Sequence, residues 1–542
     1  MGLNPGGGAI SDNRDVALNN PITGNVLTYD GLAAKWLNVP SMPLTATEHY
    51  VQPSGDTSGA TDLANINSAL STGTPVIVIL RGHYYINARI RMYSNTGLWA
   101  NGSINNTIEL VGGSNTNIVE NADQRAIDAG GVGNANIFIQ GLSFVGNPTL
   151  QTAGSGQGFL FQNVDGLTVN EVAIGPCRRM AAMHYGVRNA RYTNIRLNQD
   201  RTTGNQDGLD WGPGCTAIEI DGVTGTTGDD CFSIFAKNTG GNTTAYTNSL
   251  TPTQRNVADI TIRNVTVNVG INPLRLQAGD GSTLNRLKFY NITNTRPTTA
   301  PFVGSKVGVI GFGNTSYVTT LPASTDMRDI ILDGYVGPGT WIIDAQSNFS
   351  RVRIRNVTFV TSGDTGSQSW ESLIGCGAVV PGFTPTFHDI SLTNVDSPKT
   401  TNAGAIIDLP AGTSASNVSI SNIHVMALSA ILAGDGGVSN CAINTIHIAT
   451  ATDILFQSSG AYSGTIDNVT VDAYKSGVTR TYGTALGLRL GFSMPVFVSA
   501  DITPTPILGS IMVSDGTKNP TTDGLLTAGA FMATGAAWKR LV

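Results

Sequence analysis

Through the middle of the chain an eight-residue pattern recurs: apolar, any, apolar, any, then Asn, Asp or Gly, then apolar, any, apolar. It is seen in "IFIQGLSF", "ITIRNVTV", "LKFYNITN", "VRIRNVTF", "VSISNIHV" and "GTIDNVTV". The apolar residue after the polar position marks each copy: Leu142, Val172, Ile195, Val223, Val265, Ile292, Tyr335, Val357, Val395, Ile423, Ile446 and Val469. The shortest gaps in the series are 22 and 23 residues, and longer gaps carry inserted loops. Alternation with period two predicts strands, and the Asn and Gly residues between them predict turns. A strand-turn unit of this length cannot bury its apolar face alone, and stacking on its neighbours solves the problem. The expected fold class is all-β: a right-handed, single-stranded parallel β-helix, with aligned asparagines able to stack as hydrogen-bonded ladders.

The segment 56–103 supplies an entry to such a solenoid. A short amphipathic helix is expected there, with Thr61 as N-cap and Leu63, Ile66 and Leu70 on one face, followed by the strands "VIVIL" and "YYINARIRM". A helix across the first coil would cover an open sheet edge. This stretch resembles the opening of pectate-lyase-like β-helices, including those of phage tailspikes. The two ends share another plan. Gly24 to Trp36 and Gly509 to Trp538 each run through apolar strand residues and an Asp-Gly pair to a tryptophan, which predicts β-hairpins. Both ends resemble the short modules at the termini of phage tail fibres and tailspikes, which are homotrimers. The expected organisation is 1–37 as a tail-attachment and trimer module, 38–49 as a linker, 50–485 as the β-helix with its groove, and 486–542 as a C-terminal capping and trimerisation module.

Composition narrows the function. Charged residues make up 13%, about half the usual ~25%, and 65 glycines suit many turns. A net charge of −6 with no basic stripe gives no footprint for nucleic acid. Apolar runs such as "PVIVIL" are too short to span a bilayer, so no membrane insertion is expected. The start "MGLNPGGGAI" lacks the features of a secretory signal, which predicts synthesis in a host cytoplasm without export. Five cysteines without close pairing predict reduced interior residues, with no metal site and no cofactor.

Against this low charge, "NQDGLDWGPGCTAIEIDGVTGTTGDDCFSIFAKN" (205–238) concentrates Asp207, Asp210, Asp229 and Asp230. Asp207 and Asp229 lie 22 residues apart, one coil by the spacing above, so the two are expected side by side with Asp230 adjacent. Converging carboxyls repel, which raises the pKa of at least one; an acid and a base are what glycoside hydrolysis requires. Asp210 is open to two readings, a turn residue or a substrate-binding one.

"NQDGLD" followed one coil later by "GDDCFSI" resembles the polygalacturonases and related pectinases, glycoside hydrolase family 28. The stretch 177–200, with His184 and Tyr185, is similar to the family's approach to that motif, and "NPLRLQAGDGS" (272–282) to its Arg-x-Lys segment. The resemblance implies Asp229 as general acid, Asp207 and Asp230 as the pair that activates water with inversion, and Arg275 as a sugar-binding residue. Cys231 and Phe232 are then packing residues. Two departures stand out. No histidine lies between Asp230 and Arg275, where a Thr- and Asn-rich insertion (238–256) runs instead, and the family's lysine is Gln277. With that lysine gone, polygalacturonate is not the expected substrate; His184 and Lys237 are the candidates to compensate. Taken together, the sequence predicts a virion tailspike, a receptor-binding homotrimer joined to tail or baseplate proteins by its N-terminus and hydrolysing a bacterial surface polysaccharide. A non-catalytic trimeric adhesin and a secreted polygalacturonase-like pectinase are the alternatives.

Overall fold

The structure is a computed structural model of the 542-residue chain. It describes residues 46–125, then 131–474 with interruptions of which the longest are 238–249, 298–307 and 361–371. Strands are also described at 16–17, 25–30, 35–40, 488–492, 511–515, 528–533 and 538–541. Two compact units divide the chain: Met1–Gln199 with Gly214–Thr224, and Asp200–Pro213 with Gly225–Val542. Both carry the expected right-handed parallel β-helix repeat.

In the first unit the helix Ala60–Leu70 lies against the early strands and buries Ile66, Ala69 and Leu70. Its side chains satisfy backbone groups of the strands beneath. Buried Asp62 accepts from the N–H groups of Ser54 (2.7 Å) and Tyr85 (3.0 Å), and Asn67 accepts from the N–H of Arg91 at 2.9 Å. The helix start differs from expectation. Gly59 occupies the N-cap position, and the carboxylate of Asp56 accepts from the Thr61 N–H at 3.0 Å, so Thr61 receives a cap instead of providing one. Asp56 lies outside the helical period, where pattern alone does not find it. Leu63 is half-buried rather than part of the buried face. Farther on, Ser143 pairs with Ala173 and Ala173 with Arg196, which brings the preceding anchors Leu142, Val172 and Ile195 into one column.

In the second unit the anchors stand in unbroken register: Val265, Ile292, Tyr335, Val357, Val395, Ile423, Ile446 and Val469 are successive ladder partners. The residue before each anchor from Leu142 to Ile446 has φ between 53° and 88°. A left-handed corner there bends each long strand. Glycine takes it freely, and asparagine more readily than other L-residues. This is why Asn or Gly fills most of these places, and the corner asparagines also bond to one another. Asn291 donates to Asn264 at 3.1 Å, Asn394 to Asn356 at 2.9 Å and Asn422 to Asn394 at 2.7 Å.

A second left-handed column lies five residues earlier and follows no apolar period. Asp259, Arg286, Asp329, Arg351 and Asp389 occupy successive coils with φ of 53° to 59° and alternating charge. Arg286 clasps Asp259 and Arg351 clasps Asp329 with paired bonds of 2.6 and 2.7 Å. Inside the unit, Leu209, Phe232, Leu274, Ile310, Ile343, Ile374, Ile407 and Leu432 form one buried column. Phe312, Phe349 and Phe387 stack at 4.0 and 4.8 Å.

At the ends, Asn25–Asp30 pairs antiparallel with Lys35–Pro40, and Ile511–Asp515, Ala528–Ala533 and Trp538–Leu541 form a three-stranded antiparallel sheet. Most of the exit segment 481–509 and of the insertion 238–256 lies outside the described residues. Among the described residues no helix is long and apolar enough to cross a membrane.

Candidate active site

Three consecutive turns of the second unit build the acidic cluster, and backbone hydrogen bonds stitch them together. Gly208 N–H donates to Asp230 O (2.9 Å), Gly228 N–H to Gln206 O (2.9 Å), Ile271 N–H to Asp229 O (3.2 Å) and Cys231 N–H to Asn272 O (2.9 Å). The turns approach so closely that a Cβ at Gly228 would lie 2.1 Å from the carbonyl oxygen of Thr203. Glycine at 228 is therefore a condition of the geometry that presents Asp229.

The short strands that follow set the register. Leu209 pairs with Phe232, an interval of 23, and Phe232 with Leu274, an interval of 42. Counted back along the same ladders, Asp207 stands opposite Asp230 (230 − 207 = 23) and Asp230 opposite Asn272 (272 − 230 = 42). The expectation that Asp207 faces Asp229 is thus off by one. The repeat is 22 residues in some coils and 23 in this one, and the site falls on a turn where no apolar period marks the register. All four aspartates are nevertheless brought together, because the paired Asp229 and Asp230 sit at the junction.

Their environments differ. Asp230 is buried and held on both oxygens: Oδ1 accepts from Asn272 Nδ2 (2.7 Å) and Asn272 N–H (3.2 Å), and Oδ2 pairs with Arg275 Nε at 3.3 Å. Burial works against the charge of Arg275, but Asp230, Asp344 and Asp229 outweigh it and raise its pKa. Gly311 stands in register with Arg275 one coil on, and a Cβ there would come 3.0 Å from the guanidinium. A bare backbone at that place leaves Arg275 its room.

Asp229 is the most open of the four, and its Oδ2 accepts from Asn205 N–H at 2.9 Å. Burial first, then the charge of Asp230, push it up to about 6, against the Asn205 bond and Arg275. Asp207 and Asp210 are buried close to each other. Both are raised well above the usual carboxylate range, Asp207 by burial and then by Asp210, Asp229 and Asp230, Asp210 by burial and then by Asp230. Asp210 lies on the strand Leu209–Trp211, not in a turn, in register with Ser233 of the next coil. Cys231 and Phe232 are fully buried, the packing role expected of them.

Lys237 and Gln277 are brought beside Arg275's coil. Lys237 Nζ contacts Gln277 Oε1, and both side chains are buried. Burial and then the neighbouring Arg275 pull the lysine down to about 7. The lysine amine therefore reaches Gln277 from the preceding coil. His184 does not serve this purpose. It is fully buried in the first unit, with Nε2 2.6 Å from Tyr192 Oη and its ring stacked on Phe161, a core histidine with no face for substrate. A His-aromatic pair in sequence does not reveal whether the strand turns it inward. Asn272 was missed; its signal was the interval of 42 that separates both Asp230 from Asn272 and Phe232 from Leu274. Among the described residues no group of three or more His, Cys, Asp or Glu residues is arranged to hold a metal ion.

No protein-family model matches the chain, and no curated protein sequence matches it. Solved structures do. The surface adhesin PfbA of Streptococcus pneumoniae is 13% identical with a TM-score of 0.44, covering 91% of this chain and all of that one. A family 28 exopolygalacturonase of Yersinia enterocolitica is 11% identical with a TM-score of 0.42, covering 82% and 78%. The catalytic domain of a GH87 alpha-1,3-glucanase is 13% identical with a TM-score of 0.40, covering 84% and 70%. Adhesins and glycoside hydrolases thus both stand among the neighbours, and the likeness is one of fold.

Proposed function

We propose that this chain is a polysaccharide depolymerase of the tailspike kind, cleaving a bacterial surface glycan by inverting hydrolysis. The observation that carries the proposal is the division of labour between adjacent carboxyls. Asp229, the open one, titrates near 6 and so keeps a proton to give at mildly acidic pH. Asp230 beside it is locked as an acceptor by Asn272 and Arg275. Asp229 protonates the leaving glycosidic oxygen while Asp230, with Asp207 opposite, receives the proton of the attacking water. Inversion requires the acid and the base to stand roughly 6.5–9.5 Å apart with water between them. Arg275 orients the sugar as well as Asp230, and Lys237 with Gln277 lies one step along the same face.

The terminal β-modules support assembly as a homotrimer, with the N-terminal one meeting tail or baseplate proteins of a virion. Release of reducing ends from a panel of bacterial surface polysaccharides tests the activity. Asp229→Asn is expected to abolish it by ~10²–10⁴-fold while glycan binding persists, since an amide keeps the shape but has no proton to give. Binding with unchanged, negligible cleavage in both proteins would instead make the chain an adhesin.

A further inference from the structure

The anchors Val395, Ile423 and Ile446 are followed in the chain by Asp396, His424 and His447, and these three are successive partners in one ladder. From His424 to His447 is 23 residues (447 − 424 = 23), one coil. Two imidazoles are therefore set side by side across the ordinary inter-strand spacing of about 4.8 Å. Their rings lie nearly parallel, 12° apart in plane and 5.0 Å between centroids. Ile423 and Val425 are buried on either side of His424, and Ile446 and Ile448 on either side of His447, so both histidines face outward.

His424 keeps 46% of its side chain exposed and Asp396 keeps 50%. The Nδ1–H of His424 donates to Asp396 Oδ1 at 2.8 Å, because a carboxylate can only accept. Nε2, on the opposite edge of the ring, then carries the lone pair. A carboxylate behind one ring nitrogen is how metal-ligating histidines are oriented and made more basic.

We infer that His424 and His447 are the two protein ligands of an exposed site for a divalent transition ion, Cu²⁺, Ni²⁺ or Zn²⁺, with Asp396 orienting His424. Imidazole nitrogen suits these ions, whereas Mg²⁺ and Ca²⁺ prefer oxygen. At ~2.0–2.1 Å per bond, an ion joins two nitrogens no more than about 4.2 Å apart. Parallel rings hold like nitrogens about as far apart as their centroids, so the rings must converge by about 1 Å. The χ2 torsion of histidine is broad, and a half-exposed ring has room to tilt that far. His447 needs one of its two nitrogens for the ion and keeps the other for its own hydrogen bonding. Water fills the remaining positions, so the site is open and exchangeable, unlike the closed four-ligand sites of structural zinc. It differs in kind from the sites of three or more His, Cys, Asp or Glu residues, of which the described residues hold none. The proposed hydrolysis uses none of these side chains, and the inference stands apart from it.

Titration of the untagged full chain with Cu²⁺, followed by calorimetry and electron paramagnetic resonance, tests the site. One Cu²⁺ per chain coordinated by two imidazole nitrogens is expected. His424→Ala and His447→Ala should each remove the two-nitrogen signature. His83→Ala, which alters an exposed histidine paired with Glu109 in the first unit, should leave it intact. Asp396→Ala should weaken binding about tenfold, the lower end of the ~10–100-fold range for such partners, because the pair is half exposed. Zn²⁺ should compete with Cu²⁺, and Mg²⁺ should not. Circular dichroism establishes that each variant is folded, and the wild-type spectrum is decisive without them. Coordination of Cu²⁺ by a single imidazole in the wild type overturns the inference, as does a two-nitrogen spectrum that survives either histidine substitution. Unchanged affinity in Asp396→Ala overturns the orienting role given to that carboxylate.

Discussion

Asp229→Asn has a consequence for stability that is separate from catalysis. In the unfolded chain this carboxyl ionises near 3.8, and in the folded protein near 6, burial being the main cause. A raised carboxyl stabilises the folded state only while it keeps its proton. That contribution is intact below about pH 3.8 and is lost progressively as pH rises toward 6, after which the full difference remains as a cost. The interval of about two units corresponds to about 3 kcal/mol at ~1.36 kcal/mol per unit. Asparagine is neutral throughout and bears none of it. Unfolding entropies of ~2.1 cal/mol/K per residue give about 1 kcal/mol/K for a chain of this length, so the variant should melt about 3 °C above the wild type at pH 8. At pH 4 the two should coincide. Thermal melting followed by circular dichroism across pH 4–8 is the assay, with the difference between the proteins as the quantity read. Surface carboxyls such as Asp259 and Asp329, held low by their arginine partners, destabilise both proteins equally in acid and cancel. A melting difference that is flat with pH, or that grows toward acid, would refute the assignment of a buried, charge-averse Asp229.

Three further outcomes follow from the fold. Asn394→Val should cost about 1–2 kcal/mol in denaturant unfolding because its left-handed corner suits no β-branched side chain, whereas Asn394→Gly should cost less. Arg351→Ala removes an exposed pair and should leave the denaturant midpoint nearly unchanged, any small shift fading in high salt; a large salt-independent loss would mean the column carries more than surface charge. Light scattering of the intact protein should give three times the 56.5 kDa chain mass, and a monomer value would end the trimer proposal.

What the sequence displayed and what it hid divide along physical lines. The anchor residues were legible because burial in every coil demands an apolar side chain there, and a repeated demand leaves a repeated letter. The corner asparagines were legible for the same reason, since backbone conformation rather than contact selects them. The column from Asp259 to Asp389 was hidden because its rule is alternation: opposite charges in neighbouring coils satisfy one another, so no single residue type recurs. The acidic cluster was found by its density, but its register was misjudged by one because turns carry no apolar period. Asp210 was ambiguous because only the short strand Leu209–Trp211 decides that it points into the cluster. The difference between His184, closed in the core, and Lys237, brought to Gln277, depends on which way each strand faces, and two residues of sequence do not say.

The alternating column also constrains how this stretch of chain can change its length. Removing one coil between Asp259 and Asp389 would set like charges in contact at the junction it leaves, two arginines or two aspartates abutting across about 4.8 Å. Removing two adjacent coils restores the alternation and leaves each clasp with a partner. The stacked turns thus behave as a sequence with parity, in which tolerated gains and losses come in even numbers, and a lineage that lengthened this stack would do so by duplicating coils in pairs.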